Sequence, residues 1–324
     1  MTHAIRFHQT GGPEVLQWES VELGKPGANE ARIRQHACGF NFIDIYHRTG
    51  QYPVRLPSGI GLEGAGVVEA VGSDVTELKS GDRVAYAGGP IGAYAEARLF
   101  PADRLVKLPD SVAFDQAAGM MLKGLTAQYL LRRTYRVQPG DTILIHAAAG
   151  GVGLIVCQWA KALGATVIGT VGSDAKAALA RAHGCDHAIV YAREKFADRV
   201  NEITAGAGVA AVYDSVGKDT FMESLNCLKP MGMMVLFGAS SGPVPPLDIG
   251  VLAQKGSLFL TRPSLFTYTA KRADLVAMAA ELFDAVESGR VKIEINQTFP
   301  LREAARAQAE LEARKTTGST VLVP

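Results

Sequence analysis

Gly150, Gly151 and Gly153 come after a short β-branched run, Thr142-Ile143-Leu144-Ile145, and the small-residue stretch His146-Ala147-Ala148-Ala149, and they open an apolar helical run from Leu154 to Leu163. A strand, a tight turn and a helix in that order bring backbone N–H groups and the positive end of a helix to one point, an arrangement that suits the pyrophosphate of a dinucleotide. The usual G-x-G-x-x-G pattern is incomplete, because Ala148 stands at the first glycine and only Gly150 and Gly153 keep their places. Gly150 lets the backbone approach phosphates, and Gly153 lets helix and strand pack closely. On this stretch alone, a glycine-rich turn without a ligand is the competing interpretation.

A second strand, Ala165 to Thr170, arrives one helix later, as a βαβ unit requires. An Asp or Glu at its end would accept from a ribose 2′-hydroxyl and repel a 2′-phosphate. The chain instead runs Thr170-Val171-Gly172-Ser173-Asp174-Ala175-Lys176, with a hydroxyl at Ser173 and a lysine one helical turn in. Asp174 is the conflicting residue, and it reads as an acid in the first turn of the next helix, where the helix dipole tolerates it. This spacing favours NADP over NAD, with a solvated surface role as the alternative for Lys176.

These residues need a scaffold, and strands and helices alternate to supply one. Strands Thr142 to Ala147, Thr166 to Thr170, Ala188 to Tyr191, Val209 to Asp214, Met233 to Gly238 and Ser257 to Leu260 are separated by helical stretches at 151–163, 175–183, 195–204, 220–225 and 249–254. Six strands so arranged predict a doubly wound parallel sheet. Before them the chain is β-rich, with strands at 4–7, 16–21, 31–37, 64–71, 83–86, 94–99 and 105–107 separated by turn signals such as Thr10-Gly11-Gly12-Pro13, which suits a small antiparallel barrel. A short helix capped by Asn41 interrupts these strands, and a helix from Asp115 to Arg133 bridges to the sheet. After Thr261 come a helix at 273–288, a strand at 292–297, a helix at 302–313 and a strand at 320–323, too little for a third domain. The predicted organisation is therefore a first domain of residues 1–124 and 266–324, with a dinucleotide domain of residues 125–265 inserted in it.

The chain has 324 residues, 48% hydrophobic and 20% charged, with a net charge of +1. It carries no basic tract for nucleic acid and no apolar run long enough to span a bilayer, and its first residues lead straight into a strand, so a cytoplasmic location is expected. Cys38, Cys157, Cys185 and Cys227 lie far apart and read as structural, without a disulfide framework or a cysteine-built zinc knuckle.

Assembled, these residues resemble the medium-chain dehydrogenase/reductase superfamily, and within it the zinc-free NADPH:quinone oxidoreductases of the zeta-crystallin-like branch. The resemblance spans the chain and is carried by Gly12-Pro13-Glu14-Val15-Leu16, Asn41-Phe42-Ile43-Asp44, Gly64-Ala65-Gly66-Val67-Val68, Lys79-Ser80-Gly81-Asp82-Arg83-Val84, Lys123-Gly124-Leu125-Thr126, the 146–153 loop, Val212-Tyr213-Asp214-Ser215-Val216-Gly217 and Gly318-Ser319. It implies a GroES-like β-rich catalytic domain beside a six-stranded Rossmann domain. Zinc-dependent members of the superfamily place a Cys three residues before an Asp and a His within G-H-E; here Asn41 and Leu62 stand in those places, so no metal is expected. Without a Lewis acid the acceptor must already be electrophilic, which points to a quinone in a cleft between the domains, the transfer proceeding as hydride or one electron at a time.

The resemblance also implies roles. Asn41, Phe42, Ile43, Asp44 and Ile45 would run along the nicotinamide, with Asn41, Asp44, Tyr46 and Tyr52 as the catalytic set; Asn41, Tyr46 and Tyr52 would line the acceptor side, and Tyr129 would lie near the ring. Gly150, Gly151, Val152 and Gly153 would take the pyrophosphate, and Gly172, Ser173, Lys176, Tyr191 and Arg314 the 2′-phosphate. Ser215, Phe237, Gly238, Ser240, Arg262, Pro263 and Ser264 would line the remaining channel. The competing functions are an enoyl-thioester or activated-alkene reductase, and a zeta-crystallin-like structural or RNA-binding protein, the last disfavoured by the neutral charge. The apolar stretch Ser257 to Thr261 is expected to pair with its twin in a homodimer.

Overall fold

The computed structural model describes all 324 residues. The chain begins with strands β1 (Thr2–Phe7), β2 (Gln17–Val21), β3 (Glu30–Phe40), β4 (Ser58–Gly59), β5 (Glu63–Val71), β6 (Arg83–Ala87), β7 (Ala97–Pro101) and β8 (Val106–Lys107), with helix α1 (Phe42–Thr49) directly after β3. Helix α2 (Phe114–Tyr129) leads to strands β9 (Thr142–Ile145), β10 (Thr166–Val171), β11 (His187–Val190), β12 (Val209–Asp214), β13 (Leu228–Leu236) and β14 (Phe259–Thr261). Their connecting helices are α3 (Gly151–Ala162), α4 (Asp174–Ala182), α5 (Phe196–Ile203), α6 (Phe221–Asn226) and α7 (Gly250–Gln254). Helices α8 (Leu265–Tyr268) and α9 (Arg272–Glu287), strand β15 (Ile295–Pro300), helix α10 (Ala304–Glu312) and strand β16 (Ser319–Val323) complete the chain.

Two compact units result, one of Met1–Leu125, Thr269–Glu287 and Ile293–Pro324, the other of Thr126–Tyr268 and Ser288–Lys292. The second unit takes in three residues after 265, and also Ser288–Lys292, which the sequence reading placed in the first domain. A two-bond clamp explains this return, since the Gln158 side chain accepts from the Lys292 N–H at 2.8 Å and donates to the Lys292 carbonyl at 3.1 Å.

The first unit carries two sheets. Its strands form a three-stranded sheet, β2-β1-β4, and a seven-stranded sheet in which β15-β16-β3-β5-β6-β8 run in order and β7 pairs with β3. Alternation along β3 sends Ala31 and Ile33 inward, where they join Phe7, Phe40, Tyr94, Phe100, Leu105, Phe299 and Leu322 in one core. Burying each large side chain contributes about 2 kcal/mol. The strands expected to run antiparallel before residue 120 all do so, and the returning tail adds one parallel pair, β15 with β16. The strand expected at 292–297 begins only at Ile295: Val291 and Ile293 are buried with a strand-like alternation but make no ladder.

The second unit is a Rossmann sheet of order β11-β10-β9-β12-β13-β14, parallel throughout. Leu144, Ile168, Val200, Val212, Phe221 and Met234 pack in a core on this sheet. The bridging helix expected to run to Arg133 is α-helical only to Tyr129 and finishes as a π turn over Leu130–Thr134. The Leu130 carbonyl then accepts from the Tyr135 N–H and the Tyr213 hydroxyl, each at 3.2 Å. All four cysteines are buried.

Gly153 fixes how closely α3 meets β9, since a Cβ there would land on the Ala147 carbonyl oxygen and 2.7 Å from the Ala148 Cα. Gly153→Ala is expected to cost about 2–3 kcal/mol in denaturant unfolding, whereas Gly289→Ala, with nothing within 4 Å of its Cβ, should cost less despite its positive φ. Equal, small losses would show that the turn has room to relax.

Candidate active site

Parallel pairing places the carboxyl ends of all six strands of the second unit along one edge of its sheet, where such sheets bind ligands. The residues singled out in this unit, other than Tyr129, sit just past those ends. Gly150, Gly151, Val152 and Gly153 follow β9, and Gly172, Ser173 and Lys176 follow β10. Tyr191 follows β11, Ser215 follows β12, Phe237, Gly238 and Ser240 follow β13, and Arg262, Pro263 and Ser264 follow β14.

Local geometry explains the residue types. The left-handed residue of the first turn is Ala147, at φ 56°, one position before the residue that replaces the glycine. The turn closes by a 2.9 Å bond from the Gly150 N–H to the Ala147 carbonyl, and α3 starts at Gly151 with Gly150 as its N-cap. Its first N–H groups have no partner inside the helix, so they and the helix dipole favour an anion. At the next strand end Ser173 caps α4, accepting from the Lys176 N–H at 3.3 Å. A Cβ on Gly172 would lie 2.9 Å from the Tyr191 hydroxyl, so these two are in close proximity.

At the end of β12 the buried Asp214 carboxylate accepts from the Val216 and Gly217 N–H groups at 2.7 and 3.0 Å, and from the Thr220 and Ser224 hydroxyls at 2.7 and 3.3 Å. These bonds fix the loop carrying Ser215, whose carbonyl lies where a Cβ on Gly238 would clash at 2.6 Å. His146 joins the network through Nε2, 2.8 Å from the Ser224 hydroxyl, and Nδ1, 2.8 Å from the Thr170 hydroxyl. Burial lowers the His146 pKa and keeps the ring neutral. Tyr129 stacks on Tyr268 with centroids 4.6 Å apart.

In the first unit the equivalent chemistry gathers at the start of α1. Asn41 is its N-cap, and the Asn41 side-chain amide donates to Glu63 Oε2 at 2.7 Å. Glu63 is fully buried, with Oε2 also 3.1 Å from the Lys123 ammonium and Oε1 accepting from the Leu122 N–H at 2.8 Å. The neighbouring Asp44 is also fully buried, and its Oδ2 accepts from the Asn41 N–H at 2.9 Å and from the Tyr94 hydroxyl at 2.8 Å, while Oδ1 has no partner. Burial pushes the Asp44 pKa up to about 7, against the opposing pull of the Tyr94 and Asn41 bonds and of Lys123.

Phe42, Tyr46 and Tyr52 pack edge-on and tilted against one another beside this cluster, with ring centroids 5.3 Å apart for the first pair and 5.0 Å for the second. Phe42 and Ile43 are half-buried and Ile45 is buried in the same helix. Arg314 lies just past α10 in the left-handed region, at φ 58°. The sequence reading assigned no role to Glu63, Lys123, His146 or Asp214; the available signals were Glu63 closing the Gly61-Leu62-Glu63 triplet and a lysine directly after the apolar run Met120-Met121-Leu122.

The donor set does not fit zinc. Leu62 is apolar and buried, Asn41 points its amide N–H at Glu63, and an ammonium occupies the side of Glu63 that a cation would need.

Comparison with known proteins gives two family matches, "Alcohol dehydrogenase GroES-like domain" over residues 27–110 and "Zinc-binding dehydrogenase" over residues 151–282. The chain is 57% identical to a quinone oxidoreductase of Pseudomonas aeruginosa, covering 100% of both chains. It is 48% identical to a 2-haloacrylate reductase of a Burkholderia species, covering 100% of this chain and 99% of the relative. The crystal structure of Escherichia coli quinone oxidoreductase complexed with NADPH superposes with a TM-score of 0.98 at 50% identity, covering 99% of this chain and 100% of that one.

The raised Asp44 pKa has a signed consequence for stability. Below about pH 4 the carboxyl is protonated in folded and unfolded chains alike; between there and pH 7 the unfolded chain releases a proton that the folded chain retains, so stability falls as pH rises. Asn at this position does not titrate. The Tm of Asp44→Asn relative to the parent is therefore expected to improve by roughly 5 °C between pH 5 and pH 8. A difference independent of pH would refute the assignment.

Proposed function

Because this chain belongs to the zinc-free quinone oxidoreductases of the medium-chain dehydrogenase/reductase family, we propose that it uses NADPH to reduce an electrophilic acceptor, a quinone before all others. Bound NADPH supplies the hydride. The backbone N–H groups at Gly151 and Val152 and the dipole of α3 hold its pyrophosphate, while Lys176, Ser173 and Tyr191, just past the ends of β10 and β11, take the 2′-phosphate. Phe42, Tyr46 and Tyr52 offer flat apolar walls to a planar acceptor.

The observation that carries this reading is the cluster at the start of α1. Glu63 accepts from the Asn41 side-chain amide and so fixes its orientation, and the ammonium of Lys123 compensates the buried charge. Such a site orients a ligand but offers no Lewis acid to polarise a simple ketone or alcohol, so the acceptor must bring its own electrophilicity. Asp44 acts here as a positioning residue, through its bond to the Asn41 backbone. The 48% identical 2-haloacrylate reductase favours a second reading of the same chemistry, reduction of an electron-poor alkene.

Steady-state oxidation of NADPH with 1,4-benzoquinone or 1,2-naphthoquinone, set against 2-chloroacrylate and crotonyl-CoA, decides between the acceptors. Quinone turnover is expected to dominate, and turnover of an alkene alone would transfer the assignment to the second reading. Lys176→Ala is expected to weaken NADPH roughly ten- to hundredfold while sparing NADH. Equal losses would remove the 2′-phosphate site.

The same family reading includes a homodimer. Strand β14 pairs only with β13, leaving its other edge and the side chains of Phe259 and Leu260 open, at 57% and 38% exposure. Sedimentation at micromolar concentration should give a dimer that Leu260→Lys dissociates; a monomeric parent protein would overturn the assignment.

A further inference from the structure

Asp174 is the acid that argues against a 2′-phosphate, and the structure provides it with a partner. Strands β10 and β11 are adjacent and parallel, with Val171 opposite Val190, so the segments leaving them run side by side. The Tyr191 N–H donates to the Val171 carbonyl at 3.1 Å, and the Arg193 N–H turns back on the Val190 carbonyl at the same distance. That turn brings the Arg193 guanidinium onto Asp174 in a two-pronged pair, Nη1 to Oδ2 at 2.7 Å and Nη2 to Oδ1 at 2.6 Å. Both carboxylate oxygens are engaged.

We propose that Arg193 is a specificity-determining residue for the adenosine 2′-phosphate, acting through Asp174. This rests on the reading of NADPH as the cofactor. Held in this pair, Asp174 is turned away from service as a ribose 2′-hydroxyl acceptor, and its charge is cancelled two residues before Lys176. Each group is the main cause of the other's shift, the Asp174 pKa lowered and the Arg193 pKa raised, so both stay charged at neutral pH. A bidentate guanidinium–carboxylate pair has a fixed geometry that a lysine would not reproduce. Both residues are exposed, so the pair adds little to folding. Its effect lies in the local field, where removing the guanidinium would leave one acid and one lysine facing a dianion.

Calorimetric titration with 2′,5′-ADP and with 5′-AMP, which differ only in the 2′-phosphate, tests this without turnover. Arg193→Ala is expected to weaken 2′,5′-ADP about five- to tenfold at low salt, less at 0.5 M NaCl, and to leave 5′-AMP unchanged. Combining it with Asp174→Asn should restore 2′,5′-ADP binding to within about twofold of the parent, because the uncancelled acid is then gone. Absence of that rescue would show that the arginine touches the phosphate itself, and equal losses for both ligands would show a purely structural role; either overturns the proposal. Lys176→Ala serves as reference. If it abolishes the preference for 2′,5′-ADP while Arg193→Ala leaves 2′,5′-ADP binding at the parent level, the proposal fails and the NADPH reading stands; if the parent protein does not discriminate the two ligands, both fail.

Discussion

A carboxylate with no exposure to water organises the first unit. Removing one partner from a buried charge pair costs about 3–5 kcal/mol, so Glu63 must be satisfied on every side. Its three partners come from two places in the chain: the Asn41 side chain at the start of α1, and the Lys123 ammonium and the Leu122 N–H in α2. Glu63 itself begins β5, and a Cβ on Gly39 of β3 would land on its carboxylate and on the Ala118 carbonyl. One charge therefore fixes the meeting of two strands and two helices.

The second unit solves a different problem by the same means. Its sheet brings six strand ends to one edge, but each loop beyond them needs its own anchor. Asp214 anchors the loop after β12 through four accepted bonds, and neutral His146 ties the end of β9 to Ser224 and Thr170. The backbone conformation is thus set before any ligand arrives, which lowers the ordering entropy of binding.

Much of this could be read from residue patterns alone. The βαβ alternation, the glycine loop and the cap at Asn41 are local signals, and the structure keeps their order and approximate bounds. Reading failed where the deciding partner lay far away in sequence. Glu63 and Lys123 are 60 positions apart, and nothing near either announces the other. The alternation Val291, Ile293, Ile295 has a strand's period, yet its first half is held by Gln158 instead of a ladder. Asp174 looked like a contradiction because its partner, Arg193, lies on the far side of a helix and a strand.

The burial of every cysteine has a further consequence. Quinones alkylate accessible thiolates, and that reaction depends on exposure and on how readily the thiol ionises. Cys38 lies wholly in the core, its thiol pushed up to about 12 by burial, and Cys157, Cys185 and Cys227 are likewise enclosed. Enclosure thus withholds all four sulfurs from electrophiles of this class.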